Sequence, residues 1–213
     1  MMRRIAVLGA GGLAREVEWL IQEINREQQE WEFAGFIVSD LNHVGEFDDR
    51  ARILGDYSAL RGVDAVALGI GSPSARLKVA EEVLQHSPSI EWPSLVHPSV
   101  KIDGRSLKIE RGVAVAAGVI GTVNITLREF AFVNLSCTLG HEATIGRGAV
   151  LNPTVNISGG VEIGKGALVG TGAQILQYLR VGDFATVGAG SVVTKNVDAN
   201  TTVVGIPAKE RRS

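Results

Sequence analysis

The chain of 213 residues holds a single cysteine, Cys137. That excludes an internal disulfide and any metal site built from several thiolates. Aromatic side chains are scarce, at three Trp, two Tyr and six Phe, and proline is limited to six. Neither charge dominates. Lys plus Arg total 21 against 23 for Asp plus Glu, a net charge of −2. No basic field therefore points to nucleic acid, and no polybasic tract points to a membrane surface. Long apolar runs are missing as well: MMRR passes into IAVLGAGG without a stretch fit for a signal peptide or a spanning helix, so the cytoplasm is the expected location. What the chain does have is glycine, 26 in all, and a rhythm.

From Ile109 to Val193 every sixth residue is aliphatic: Ile109, Val115, Gly121, Leu127, Val133, Leu139, Ile145 and onward through Val187 and Val193, with Gly121 the one exception. Four residues after each stands a second set of small or β-branched residues, among them Val113, Val119, Ile125, Ala131, Cys137, Ala143 and Ala149. Six fits neither helix turns nor a heptad, so the period itself predicts a solenoid of short strands, each coil buried only against its neighbours. The rhythm begins at Val96 and Ile102, and one residue is inserted before Ile109. It ends at Val193, leaving Thr194 to Lys209 to close the open end.

Residues 1–92 have a different texture. Arg4–Leu8 reads as a buried strand, Gly9–Ala14 as a tight turn, and Ala14–Ile24 as a helix with Val17, Leu20, Ile21 and Ile24 on one face. Strands at Phe33–Val38 and Val63–Leu68 follow, with a short element at Ile53–Asp56 between them and helices at Tyr57–Arg61 and Ala75–Leu84. Alternation of this kind predicts a small, Rossmann-like parallel α/β domain, followed by the solenoid over 93–213.

Two motifs carry chemistry. In Gly9-x-Gly11-Gly12-x-Ala14 the glycines permit a sharp strand-to-helix turn whose N–H groups suit a phosphate, and Asp40 closes the next strand. A nucleotide or nucleotide sugar is one reading; a plain βα turn is the other. An NAD site fits less well, because the third glycine is Ala14 and the sheet is short. The second motif is Asn134-Leu135-Ser136-Cys137-Thr138-Leu139-Gly140-His141-Glu142. Leu139 and Ala143 are inward positions, so His141 between them projects outward near a corner. Imidazole there suits a general base and Glu142 can orient it, although a solvated surface pair has the same sequence. Cys137 reads as packing. His43, His86 and His97 read as loop or surface residues, and only His141 lies within the regular repeat, so zinc chemistry on the solenoid wall is disfavoured. Arg76, after Gly71, reads as an anion contact or a surface helix residue.

These pieces together resemble the bacterial sugar O-/N-acetyltransferases of the left-handed β-helix type, the group of the sialic acid O-acetyltransferases and the bacillosamine-pathway N-acetyltransferases. The resemblance runs through GAGGLAREV, GFIVSD, ILGD, GSPSAR, LVHPSV, NLSCTLGHE and VGIPAK. It implies a homotrimer of left-handed parallel β-helices, with acetyl-CoA between neighbouring subunits and no metal. It further implies His141 as general base, Glu142 as the residue that increases its basicity, and Asn134 as a residue positioning the acceptor. The Gly159 N–H would face the thioester oxygen, the backbone near Thr171 and Ala189 would follow the rest of CoA, and Lys209 would meet a CoA phosphate. A nucleotide-sugar acceptor would sit at Gly11, Gly12, Leu13, Ser39 and Asp40. Many members have His in place of Leu13 and an Asp-Asp pair in place of Ser39-Asp40, departures that bear on which sugar is taken. Acetyl transfer to a nucleotide-activated sugar is the expectation. A non-catalytic sugar-nucleotide-binding trimer, or O-acetylation of sialic acid or another non-nucleotide acceptor, is the alternative.

Overall fold

The computed structural model describes residues 2–45 and 50–211. Near its start, β1 (Arg3–Leu8), β2 (Trp31–Ile37), β3 (Ile53–Gly55) and β4 (Ala65–Leu68) form one parallel sheet in the order β3-β2-β1-β4. This is the strand order of half a doubly wound sheet, with its switch point between β1 and β4. α1 (Gly12–Glu27) connects β1 to β2, and α2 (Pro73–His86) follows β4, each longer at both ends than the apolar periodicity predicts. Tyr57–Gly62 is a 3₁₀ turn capped by Asp56, whose side chain accepts from the Ser58 N–H.

From Leu95 onward the chain winds as a β-helix of two-residue strands in three parallel sheets. Thr138 pairs with Asn156, eighteen residues on, so each coil takes three hexapeptides and lays one strand on each face. The first face includes Ala114–Val115, Phe132–Val133 and Val150–Leu151; the second Ile120–Gly121, Thr138–Leu139 and Asn156–Ile157; the third Thr126–Leu127, Thr144–Ile145 and Glu162–Ile163. The solenoid is a left-handed β-helix. One residue of each corner takes positive φ, which glycine adopts without strain. Where it is not glycine the chain uses Asn124, Phe130, Ser136, Glu142, Thr154, Tyr178 or Phe184. The predicted inward residues line a continuous core from Val113 to Val193, with Leu179 and Ile109 partly buried against it, and Val197 and Val203 extend it. Cys137 belongs to it, fully buried, with its thiol pushed up to about 11 by desolvation.

Gly121, the break in the rhythm, has a steric cause. The inserted residue shifts the first coil, so that Lys101 bridges to Ile120, nineteen residues on, instead of keeping the eighteen-residue register. Ile102 then comes under Gly121, and a Cβ there would lie 2.6 Å from Ile125 Cδ1 and 2.9 Å from Ile102 Cγ1. The isoleucine supplies the bulk that the glycine gives up. At the far end Thr202–Val204 extends the first face and pairs antiparallel with Lys209–Glu210.

The α/β unit is seated on the first face. Outward Ala114, Phe132 and Val150 pack in one cluster with Val17, Leu20 and Ile21 of α1. Arg76 clamps the seam and corrects both sequence readings, since it is neither exposed nor an anion contact. It is fully buried, and its guanidinium donates to the carbonyls of Phe130 (2.6 Å), Leu68 and Ile70 (both 3.1 Å). Burial pushes its pKa down to about 9. His97 also departs from the surface reading: it is buried where Trp19 of α1 covers it at a ring separation of 5.5 Å. His86 ends α2 and is exposed, whereas the side chain of His43 lies outside the described residues.

Candidate acyl-transfer site

His141 sits at the corner between the second and third faces, held there by inward Leu139 and Ala143 on either side. Its Nδ1 lies 2.8 Å from Glu142 Oε2. A carboxylate accepts only, so Nδ1 carries the hydrogen of that bond, and in the neutral ring Nε2 keeps its lone pair, the tautomer a general base needs. Glu142 occupies the left-handed slot of its corner, with φ of 59°.

The next coil provides the floor. A methyl built on Gly159 would stand 2.8 Å from His141 Cδ2, and nearer still to Nε2 and Cε1. The imidazole therefore lies flat against bare backbone, a position that any side chain at Gly159 would deny it. Gly140 makes the same allowance one coil earlier, because a Cβ there would meet the Ser158 carbonyl carbon at 2.6 Å. The Gly160 N–H donates to the His141 carbonyl at 2.7 Å, whereas among the described residues the Gly159 N–H has no acceptor. A ring nitrogen and a backbone donor with no acceptor among the described residues thus lie on adjacent coils at one corner.

The other predicted residues lie elsewhere. Asn134 is at the corner between the first and second faces, one strand away from His141 within the same coil. It is buried, accepts from the Leu135 N–H at 2.7 Å, and lines a cavity of about 110 Å³ with Trp19, Phe132 and Leu135. Thr171 and Ala189, both exposed, follow on that same corner in later coils. Lys209 is exposed in the terminal hairpin, beside a cavity of about 280 Å³. One copy of the chain therefore gathers His141, Glu142 and Gly159 at one edge of the second face and puts Asn134, Thr171 and Ala189 at the other.

In the α/β unit Gly9, Ala10, Ser39, Asp40 and Tyr57 line a cavity of about 170 Å³ at the carboxyl ends of β1 and β2. Gly11, Gly12 and Leu13 open α1 beside it, with no side-chain cap on the helix. Leu13 packs toward Gly71. Ala14, in the third glycine position, is accommodated by Gly69, whose Cβ would lie 2.5 Å from Ala14 Cα. Asp40 Oδ1 accepts from the Asn42 N–H at 2.8 Å and from Asn42 Nδ2 at 3.0 Å. Tyr57 escaped the sequence reading. Its hydroxyl donates to Glu82 at 2.9 Å, and burial followed by that carboxylate raises its pKa above the ordinary phenol value. The signal available was its place as the lone aromatic of the 53–62 segment. Among the described residues no group of three or more His, Cys, Asp or Glu could hold a metal, and no helix is long and apolar enough to cross a membrane.

Residues 4–83 match the PglD N-terminal domain family. Over the full length, the chain matches PerB from Caulobacter crescentus, solved with CoA and GDP-perosamine, at 25% identity and a TM-score of 0.86, covering 100% of this chain and 99% of that one. The chain has the architecture of the hexapeptide sugar N-acetyltransferases. The acetyltransferase domain of PglB from Neisseria gonorrhoeae FA1090, in complex with acetyl coenzyme A, matches at 25% identity and a TM-score of 0.84, covering 99% and 100% of the two chains. WeeI from Acinetobacter baumannii AYE matches at 25% and 0.83 over the same shares. No curated protein sequence matches the chain.

Proposed function

We propose that the chain transfers acetyl from acetyl-CoA to the amino group of a nucleotide-linked sugar. The observation that carries this reading is His141, its Nδ1 bonded to Glu142, lying against Gly159, whose N–H has no acceptor among the described residues. Full-length similarity to PerB and to the PglB acetyltransferase domain supports the substrate class.

The sugar amine attacks the thioester carbonyl carbon and a C–N bond forms. The carbonyl oxygen becomes an oxyanion, to which the Gly159 N–H donates. A preorganised donor of this kind is worth roughly 10²–10³-fold in rate. His141 Nε2 takes the proton released by the amine while Glu142 holds Nδ1–H in place. The C–S bond then breaks, and the imidazolium returns its proton to sulfur, so free CoA thiol and an amide leave a regenerated base.

The homotrimer belongs to the same proposal. Asn134, Thr171 and Ala189 stand at the opposite edge of the second face from His141, so a ligand reaching both sets needs two copies. Ile120 and Leu176 leave apolar surface on and beside that face, 54% and 40% exposed. A head-to-tail contact that closes after three copies presents every edge once. Asp40, Ser39 and the start of α1 would hold the nucleotide.

The experiment is a screen. Purified protein is mixed with acetyl-CoA and with UDP-, GDP- or dTDP-linked amino sugars, and free thiol is followed. Thiol release dependent on one of these sugars, with the N-acetyl product seen by mass spectrometry, is the expected result. Sugar binding without thiol release would leave a non-catalytic trimer instead.

A further inference from the structure

The seam between α1 and the solenoid holds a cavity of about 110 Å³ to which the transfer chemistry above assigns no occupant. Its walls are mostly apolar, with Trp19 from α1 facing Ala116, Phe132 and Leu135 of the solenoid. Asn134 and Glu16 bring the polar groups. Asn134 Oδ1 is taken by the Leu135 N–H, whereas Nδ2 has no acceptor among the described residues. Glu16 likewise has no partner among them. Walls with so few polar groups hold water poorly and suit a ligand with an apolar face and a few hydroxyls.

Trp19 is 41% exposed, yet it is held. Its ring lies 5.5 Å from that of buried His97. His97 is fixed in turn through Nδ1, which accepts from the Ser99 N–H at 3.0 Å and lies 2.8 Å from the Ser99 hydroxyl. A partly exposed indole fixed beside an apolar cavity is a preorganised platform. Position along α1 connects that platform to the nucleotide cavity. Gly12, Glu16 and Trp19 follow the i, i+4, i+7 spacing of one helix stripe. Gly12 opens α1 beside the cavity of Gly9, Ser39 and Asp40, and seven residues of helix put Trp19 about 10 Å further on. A diphosphate and one sugar ring cover such a span.

We infer that this cavity receives the acceptor sugar and that Trp19 is a specificity-determining residue. The indole packs against the C–H face of the pyranose, Asn134 Nδ2 donates to one ring hydroxyl, and the Glu16 carboxylate accepts from another. The inference rests on the transferase reading above. It seats the sugar at the edge of the second face where Asn134 stands, the edge that faces a second copy in the proposed trimer.

The test is calorimetry on the full chain without acetyl-CoA, using UDP-, GDP- and dTDP-linked amino sugars, each against its free nucleoside diphosphate. For the nucleotide that binds tightest, the ratio of the two dissociation constants reads the sugar's contribution. Moving ~60 Å² of apolar surface out of water corresponds to about tenfold in affinity. Trp19→Ala should therefore shift the ratio against the sugar by about tenfold, with the nucleoside diphosphate bound as before. Ala116→Leu fills the cavity instead of removing a wall. It should shift the ratio in the same direction with the thermal midpoint retained, which decides the matter if Trp19→Ala fails to fold. Trp19→Phe should keep most of the preference. An unchanged ratio in Ala116→Leu overturns the inference while leaving the transferase reading in place. So does a loss of acetyl-CoA affinity in that variant, titrated separately, with the ratio intact, because the acyl group would then be the occupant. Failure of the wild type to bind any of the nucleotide sugars overturns both.

Discussion

Gly159→Ala isolates the geometry of the candidate base. Gly159 does not use positive φ, so its backbone accepts alanine; the nearest conflict is with the imidazole. The new methyl would be 2.8 Å from His141 Cδ2 and nearer to Nε2, whereas carbon atoms rest at about 3.5–4.0 Å, so the ring must retreat by about 1 Å. A displacement of that size at a reacting group costs on the order of 10²-fold, or about 2.7 kcal/mol of barrier. The assay is kcat by thiol release, with the thermal midpoint measured in parallel. Gly104→Ala, where an added Cβ meets nothing within 4 Å, is the matched control. The expected result is a fall of about a hundredfold in kcat with the midpoint nearly unchanged. Wild-type kcat in Gly159→Ala would refute the placement of His141 as the acting base.

Other outcomes follow from the same structure. Glu142→Gln removes the carboxylate from Nδ1 and should lower kcat by about tenfold or more through the wrong tautomer, visible in the pH–rate profile. Arg76→Met leaves the carbonyls of Phe130, Leu68 and Ile70 without their donor and should cost about 3 kcal/mol, read in denaturant melts. Cys137 should resist a thiol reagent in the folded protein at pH 8 and react fully once unfolded. The unfolded thiol ionises near 9.0 while the buried one keeps its proton to about 11, so stability is at its full value below pH 9 and falls between 9 and 11. Gly121→Val should destabilise the first coils by overpacking on Ile102 and Ile125. Adding Ile102→Ala should recover part of that loss, whereas strictly additive losses would contradict the steric account.

The solenoid was legible because a six-residue period fixes direction as well as shape. Leu139 and Ala143 inside put His141 outside, and the structure has them so. Gly121 was opaque because its reason is a nineteen-residue offset to a neighbour in the irregular first coil, outside the repeat. Arg76 was misread on residue type. Its spacing to Pro73, Ala80 and Val83 puts it on the buried face of α2, and backbone carbonyls from another part of the chain satisfy it. His97 looked like a loop residue because the helix that covers it, through Trp19, lies far away in sequence. The motif from Asn134 to Glu142 reads as one unit along the chain, yet it spans a whole face and ends on two different corners. Continuity in sequence concealed that separation.

Acetyl transfer depends most directly on His141. With acetyl-CoA and the accepted amino sugar at saturation, kcat of His141→Ala should fall by ~10²–10⁴-fold, the range for loss of a general base, with the oligomer and acetyl-CoA affinity retained. Undiminished turnover in that variant would contradict His141 as the base.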